Sequence, residues 1–93
     1  MRTIEWTGQF KRDYKRVARG SHQATLDAEL FPVVESLAND QPLELRFRDH
    51  TLTSDWKDHC DCHVKPDLVL IYQKPDEDTL RLVRLGSHSE LGL

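Results

Sequence analysis

The sequence lacks long apolar runs and contains only two cysteines, Cys60 and Cys62. No segment approaches the roughly 18 consecutive apolar residues of a membrane-spanning helix, and the first residues lack the apolar region of a secretory signal peptide. Cysteines two residues apart on one strand face the same side, so bridging them would strain the disulfide. We therefore expect reduced thiols, the cytoplasm as compartment and no membrane partner.

Internal repeats, low-complexity tracts and linkers are also missing, so the 93 residues are expected to form one domain around one modest core. The run from His59 to His63 alternates two cysteines with histidines and aspartate. On a strand, this alternation places the thiols and the imidazoles on opposite faces, and zinc sites more often use a Cys-x₂₋₄-Cys pair. We predict that the chain binds no metal and no cofactor.

The net charge of −3 is a mild argument against a nucleic-acid partner, but the charge is unevenly distributed. Residues 1–20 contain six basic and two acidic side chains, a net charge of +4. Residues 21–45 contain five acidic and no basic side chains, a net charge of −5. The first segment is therefore a candidate cationic surface, whereas the acidic segment equally fits an ordinary solvated helix face.

The first half of the chain has helical periodicity. A short strand over residues 2–6 is followed by Thr7, a candidate helix cap, and by Phe10, Tyr14 and Val17 at helical spacing. A second helix follows Gly20, with Ser21 as its candidate cap and apolar residues from 26 to 37. Pro32 either kinks this helix or begins a separate turn.

The second half is strand-like. Residues 58–64 alternate in polarity, residues 68–72 form a continuous apolar run, and residues 79–85 return after the turn-forming run from 75 to 78. The order predicts an α+β domain: a small antiparallel sheet, two N-terminal helices on one face and a short C-terminal helix or turn. The other sheet face would be free for binding.

Three histidines are predicted near one end of this sheet. His50 lies in a loop that enters the sheet, His63 ends one strand, and His88 follows the last strand. Asp67 begins the strand after His63, and Arg84 precedes His88 on an outward-facing position. Arg84 is alternatively an ordinary exposed strand residue or a partner of Asp67. Imidazoles with one carboxylate and one guanidinium suit proton transfer combined with stabilisation of transition-state charge.

RNA cleavage requires such a set of groups. A base takes the proton of the 2′-hydroxyl, a cation stabilises charge on the phosphate, and an acid protonates the departing 5′-oxygen. Imidazole serves both proton roles because its unperturbed pKa is about 6.5. This scheme requires no metal.

Five segments of the sequence resemble the YafQ-like toxins of the RelE/ParE toxin–antitoxin superfamily. The segments are residues 4–13, 48–52, 56–57, 63–72 and 82–88, and the resemblance is densest from Asp49 to His88. It implies a RelE-like fold over a single toxin domain, residues 1–93, and a ribosome-dependent endoribonuclease that cleaves messenger RNA in the A site. The implied partners are the ribosome, messenger RNA and a small dimeric antitoxin, with operator DNA bound only through the antitoxin complex.

The resemblance also implies roles for single residues. His50, His63, Asp67 and His88 would form the acid–base group, with His50 or His63 as base and His88 as acid, and Arg84 would hold the phosphate. We expect contacts with RNA or the ribosome from the basic residues Lys11, Arg12, Lys15, Arg16 and Lys65. Such toxins often have an aromatic residue shortly after the last histidine, whereas this chain has Gly92, so base stacking is expected to differ.

Two alternatives remain at this point. A ParE-like toxin acts on DNA gyrase through protein contacts and needs no set of three histidines. An inactive relic that only binds antitoxin would retain most of the same residues, so only an activity measurement separates it from a nuclease.

Overall fold

The computed structural model describes residues 1–20, 24–52 and 58–93 of the chain, with the side chain of His50 excepted. The predicted cap Ser21 and the residues Trp56 and Lys57, which contribute to the family resemblance, lie outside the described residues. No helix among the described residues is long and apolar enough to cross a membrane.

The elements include the predicted helices and strands in the predicted order, together with a 3₁₀ turn and a short additional strand at His50, which was predicted to lie in a loop. They are β1 (Thr3–Trp6), α1 (Gly8–Ala18), α2 (Leu26–Ala38), a 3₁₀ turn (Leu45–Phe47), β2 (His50–Thr51), β3 (Cys60–Lys65), β4 (Leu68–Asp76), β5 (Thr79–Gly86) and α3 (His88–Leu91). The α+β class, the two N-terminal helices and the short C-terminal helix are confirmed.

The sheet has the strand order β1-β5-β4-β3-β2. Its pairs are antiparallel except that β1 runs parallel to β5, with Thr3 opposite Thr79. A parallel neighbour requires a long crossover connection, and here α1, α2 and the strands that follow provide it. The sheet is therefore antiparallel with one parallel strand added at its edge.

Helix α1 begins where the sequence predicts. The Thr7 side chain accepts a hydrogen bond from the amide of Phe10, which satisfies one of the donors left open at a helix start. Helix α2 continues through Pro32 as a single helix, and Pro32 lies on the exposed face of that helix. The carbonyl that loses its partner at a helical proline can there be solvated by water.

The main core lies between the helices and one face of the sheet, and it contains Phe10, Leu30, Cys62 and Leu82, all fully buried. Both cysteines are free thiols, as predicted, and burial raises the pKa of Cys62. The opposite sheet face is less open than we expected. Leu91 of α3 and Leu52 pack there against the strand residues Val69, Ile71 and Val83.

Candidate active site

The sheet register places two of the predicted histidines at the same end of the sheet. His63 on β3 lies opposite Val69 of β4, and Val69 lies opposite Gly86, the last residue of β5. His88 follows two residues later, and its ring centroid is 4.8 Å from that of His63, with the ring planes inclined by 58°. Two residues separated by 25 positions in sequence are thus in contact.

His50 approaches the same region through its backbone. It lies on β2 opposite Asp61, which precedes His63 by two residues on β3. The placement of its side chain lies outside what the structure describes. The neighbouring Asp49 accepts a hydrogen bond from the Tyr72 hydroxyl, and this contact ties the chain before β2 to the sheet.

The start of α3 fixes the position of His88. The Ser87 hydroxyl accepts a hydrogen bond from the Glu90 amide at 3.2 Å, and Glu90 Oε1 accepts one from the Ser87 amide at 2.9 Å. Glu90 also pairs with Arg16 Nε at 3.1 Å. A Cβ atom at Gly86 would lie 3.0 Å from Arg16 Nη2, so a glycine there admits the arginine close to the strand end. His88 therefore lies in the first turn of a helix that Ser87 caps and that the Arg16–Glu90 ion pair connects to α1.

Arg84 is bound to a buried carboxylate on α1. Its Nε and Nη2 donate to the two oxygens of Asp13 at 2.7 and 3.3 Å. Asp13 is fully buried and also accepts from Arg16 Nη1 at 2.8 Å and from the Leu85 amide at 3.0 Å. Burial alone would raise the pKa of Asp13, but the hydrogen bonds from Arg84, Leu85 and Arg16 outweigh it and hold this pKa below its usual value.

The arginine–carboxylate contact differs from the one considered from sequence. The alternative role for Arg84 was a pair with Asp67, but Asp67 lies in the exposed turn between β3 and β4. Asp67 lines a separate cavity of 320 Å³ together with Arg16, Ser87 and Glu90. Asp67 thus lies in the turn after His63 and does not line the cavity that the two histidines share. The catalytic roles of Asp67 and Arg84 stay predictions.

The cavity that the two histidines share contains two arginines that the sequence analysis did not select. We call it the histidine cleft; it has a volume of 560 Å³ and is lined by Arg46, Arg48, His63, Pro66 and His88. Both arginines are exposed and precede β2. A signal was present in the sequence, because the basic residues occupy alternate positions immediately before His50.

The candidate ribosome-binding residues occupy two places. Lys11, Arg12 and Lys15 are exposed on the outer face of α1, whereas Arg16 reaches towards the end of β5 and donates to the Leu85 carbonyl at 3.0 Å. Lys65, at the end of β3, donates a hydrogen bond to the Thr25 hydroxyl. The predicted separation of thiols from imidazoles also occurs, with Cys62 in the main core. Among the described residues, no group of three or more His, Cys, Asp or Glu side chains is placed to hold a metal ion.

A small α+β domain with paired imidazoles and arginines around one cleft defines a candidate acid–base site for a phosphate-containing substrate. Comparison with known proteins agrees with this class. The model of the family described as "Bacterial toxin of type II toxin-antitoxin system, YafQ" matches residues 2–92. The chain belongs to this family, and the resemblance seen in the sequence is confirmed.

Individual relatives match over nearly their whole length. The mRNA interferase toxin YafQ of Escherichia coli (strain B / BL21-DE3) is 38% identical over 90 residues, which cover 97% of this chain and 95% of the relative. The crystal structure of a metal-bound toxin from Helicobacter pylori has a TM-score of 0.87 at 47% identity, covering 98% of this chain and 99% of that one. A chain of the E. coli DinJ-YafQ complex has a TM-score of 0.84 at 36% identity, covering 98% of both chains.

Proposed function

We propose that this chain is the toxin of a type II toxin–antitoxin pair and cleaves messenger RNA in the ribosomal A site. Two relatives that match 97% of the chain are named mRNA interferase toxins. The observation that carries the proposal is the contact of His63 with His88, 4.8 Å between ring centroids, in a cleft that also contains two arginines. An imidazole pair beside guanidinium groups supports acid–base cleavage of a phosphodiester.

The reaction uses the 2′-hydroxyl of the RNA as nucleophile. His50 or His63 takes its proton, and the 2′-oxygen forms a bond to the adjacent phosphorus. As that bond forms, the bond from phosphorus to the 5′-oxygen breaks, and His88 donates a proton to the departing oxygen. The products carry a 2′,3′-cyclic phosphate and a free 5′-hydroxyl. The rings of His63 and His88 are near enough to serve two oxygens of a single phosphate.

The remaining predicted residues support this pair. Asp67 lies in the turn next to Pro66, where its carboxylate can orient an imidazole or a ribose hydroxyl. Arg84 would stabilise phosphate charge through the part of its guanidinium that Asp13 leaves accessible, and its side chain is 22% exposed. Each role is part of the proposal, and each predicts loss of cleavage on substitution by alanine.

The partners follow from the family and from the charge distribution. A relative from E. coli was crystallised in complex with DinJ, and we propose that a cognate antitoxin likewise binds and neutralises this chain. The toxin would act in the bacterial cytoplasm, where it docks on the ribosome. Lys11, Arg12 and Lys15 on α1, with Arg16 and Lys65 near the cleft, would contact ribosomal or messenger RNA phosphates.

The test is growth arrest with mapping of messenger RNA 5′ ends after induction of wild type, His88→Ala and His59→Ala. His59 is a matched control because it precedes β3 and does not line the histidine cleft. Wild type and His59→Ala should arrest growth and cut in frame, whereas His88→Ala should do neither. Equal arrest in all three without new 5′ ends would refute the nuclease and favour a gyrase-directed toxin. No arrest in any of them would indicate an antitoxin-binding relic.

A further inference from the structure

Two exposed arginines share the histidine cleft with His63 and His88. Arg46 and Arg48 line this cleft, and both belong to the segment formed by the 3₁₀ turn and the residue after it. Arg84, which donates from Nε and Nη2 to Asp13, is not among the residues that line the cleft. The arginines that line the cleft are therefore Arg46 and Arg48.

Arg46 is oriented by Phe47, and its carboxylate partner is exposed to water. Its Cζ lies 4.6 Å from the centroid of the Phe47 ring, a cation–π distance that orients the guanidinium. Its Nε lies 3.3 Å from Glu44, but both side chains of this pair are largely exposed, at 70% and 74%. An exposed pair of this kind contributes little free energy, so a phosphate can replace the glutamate.

Arg46 also connects the histidine cleft to a second cavity. That cavity has a volume of 340 Å³, shares Arg46, His63 and Pro66 with the first, and is also lined by Lys65 and Glu29. Cationic side chains therefore line two cavities that adjoin at His63. This arrangement suits successive phosphates of a polymer rather than a single small anion.

Arg48 occupies a backbone position that favours glycine. Its φ of 48° and ψ of 47° are left-handed, and its amide donates to the Leu45 carbonyl at 3.0 Å to close the 3₁₀ turn. A side chain at such a position disfavours the fold relative to glycine. Arg48 thus places a charged side chain on the histidine cleft from a backbone conformation that favours glycine.

We propose that Arg46 and Arg48 bind the backbone phosphates of the messenger RNA that flank the cleaved bond. The proposal rests on the proposed function and names the residues that hold its substrate in the cleft. A guanidinium presents several donors in one plane and can bind a phosphate with two parallel hydrogen bonds. A lysine ammonium lacks this planar, bidentate geometry.

The experiment measures binding separately from chemistry. Ribosomes are programmed with a messenger RNA that carries a 2′-deoxynucleotide at the cleavage position, which removes the nucleophile, and toxin affinity is measured across a salt series. Cleavage of the all-ribose message is measured in parallel. The variants are Arg46→Ala, Arg48→Gly, Arg46→Lys and Arg48→Lys. Lys74→Ala is the control, because it removes one cation towards the other end of β4.

Arg46→Ala and Arg48→Gly should each weaken binding on the order of tenfold and lower the slope of log affinity against log salt by roughly 1. The lysine variants should retain the salt slope but lose part of the affinity. Arg48→Gly should unfold at a midpoint no lower than wild type, which separates lost binding from lost folding.

If Arg46→Ala and Arg48→Gly both bind the programmed ribosome within twofold of Lys74→Ala, the proposal for the arginines is overturned. Cleavage of the all-ribose message by wild type would still support the nuclease. Binding that depends on the arginines, with a wild type that never cuts the all-ribose message, would refute the nuclease and leave the RNA site standing. A wild type that neither binds nor cuts would overturn both.

Discussion

Substitution of Asp13 by asparagine tests how much the contacts of Asp13 between α1 and the end of β5 contribute to the free energy of unfolding. The Asp13 side chain is 1% exposed and accepts four hydrogen bonds, two from Arg84, one from Arg16 and one from the Leu85 amide. An amide of the same size has one acceptor oxygen instead of two, and its NH₂ group then faces donors. The substitution also removes the negative charge that compensates the two guanidinium groups.

The expected loss follows from burial. Removing one partner of a buried ion pair costs about 3–5 kcal/mol, because the other charge is left uncompensated. Here the cations can turn partly towards water, since the Arg84 and Arg16 side chains are 22% and 44% exposed. The remaining oxygen of the amide also keeps part of the hydrogen bonding. We therefore expect Asp13→Asn to lower the free energy of unfolding by about 2–3 kcal/mol.

The assay is urea denaturation at pH 7, followed by far-UV circular dichroism, with Asp40→Asn as the matched control. Asp40 also accepts from two cations, Arg2 Nε and Lys74 Nζ, both at 2.8 Å, but its side chain is 54% exposed. Water compensates an exposed pair, so the control should lose far less stability than Asp13→Asn. Equal losses in the two variants, or a loss below about 1 kcal/mol for Asp13→Asn, would refute the argument from burial.

Acid titration adds an independent check on Asp13. Its folded-state pKa lies below the unfolded value of 3.8, so the unfolded chain takes up this proton first as the pH falls. The stabilisation is complete above the unfolded pKa and is lost as the pH falls through the folded pKa. As the pH falls through the unfolded pKa of 3.8 and below it, the wild type should therefore lose more stability than Asp13→Asn. Parallel curves for the two proteins would contradict the assignment.

Three further predictions concern the site. The pH–rate profile of cleavage should be bell-shaped, because a base and an acid act together, and each should contribute about 10²–10⁴-fold; a monotonic profile would contradict the two-imidazole scheme. Ser87→Ala removes the cap of α3 and should lower the free energy of unfolding by about 1 kcal/mol in denaturant titrations, while Ser89→Ala, on the same helix, should be nearly neutral. Lys11→Glu with Arg12→Glu should weaken ribosome co-sedimentation and leave the unfolding midpoint within a few degrees of wild type; unchanged co-sedimentation would remove α1 from the docking surface.

Local patterns predicted most of the elements. Thr7 caps α1 as predicted, since an N-cap depends on residues within one helical turn. Alternation over β3 placed Cys62 in the core and His63 on the other side, because side chains on a strand point to opposite faces in turn. The order of the strands predicted His63 and His88 near one end of the sheet, and their contact depends on the registers of the β3–β4 and β4–β5 pairs.

Long-range contacts were not predictable in the same way. The sequence analysis considered Asp67 as an alternative partner of Arg84, but Arg84 pairs with Asp13, 71 residues away. The burial of Asp13 was not predicted, because charged residues on a helix are usually exposed. The parallel pairing of β1 with β5 also depends on how the helices pack. Arg46 and Arg48 were overlooked because exposed arginines are usually solvated; their alternate spacing before His50 gains meaning only from the cleft that they line.

The Asp13 contacts link the two surfaces that the proposed function requires. Helix α1 presents Lys11 and Lys15 outwards, and its inward-facing Asp13 binds Arg84 and the Leu85 amide on β5. Three residues after Leu85 the chain reaches His88. If α1 docks on the ribosome by its outer face, the buried carboxylate of Asp13 connects the docked helix directly to the end of β5 that precedes His88. The stability measured for Asp13→Asn gives the fraction of the variant that is unfolded. Cleavage on the ribosome by Asp13→Asn should be reduced by more than this unfolded fraction explains.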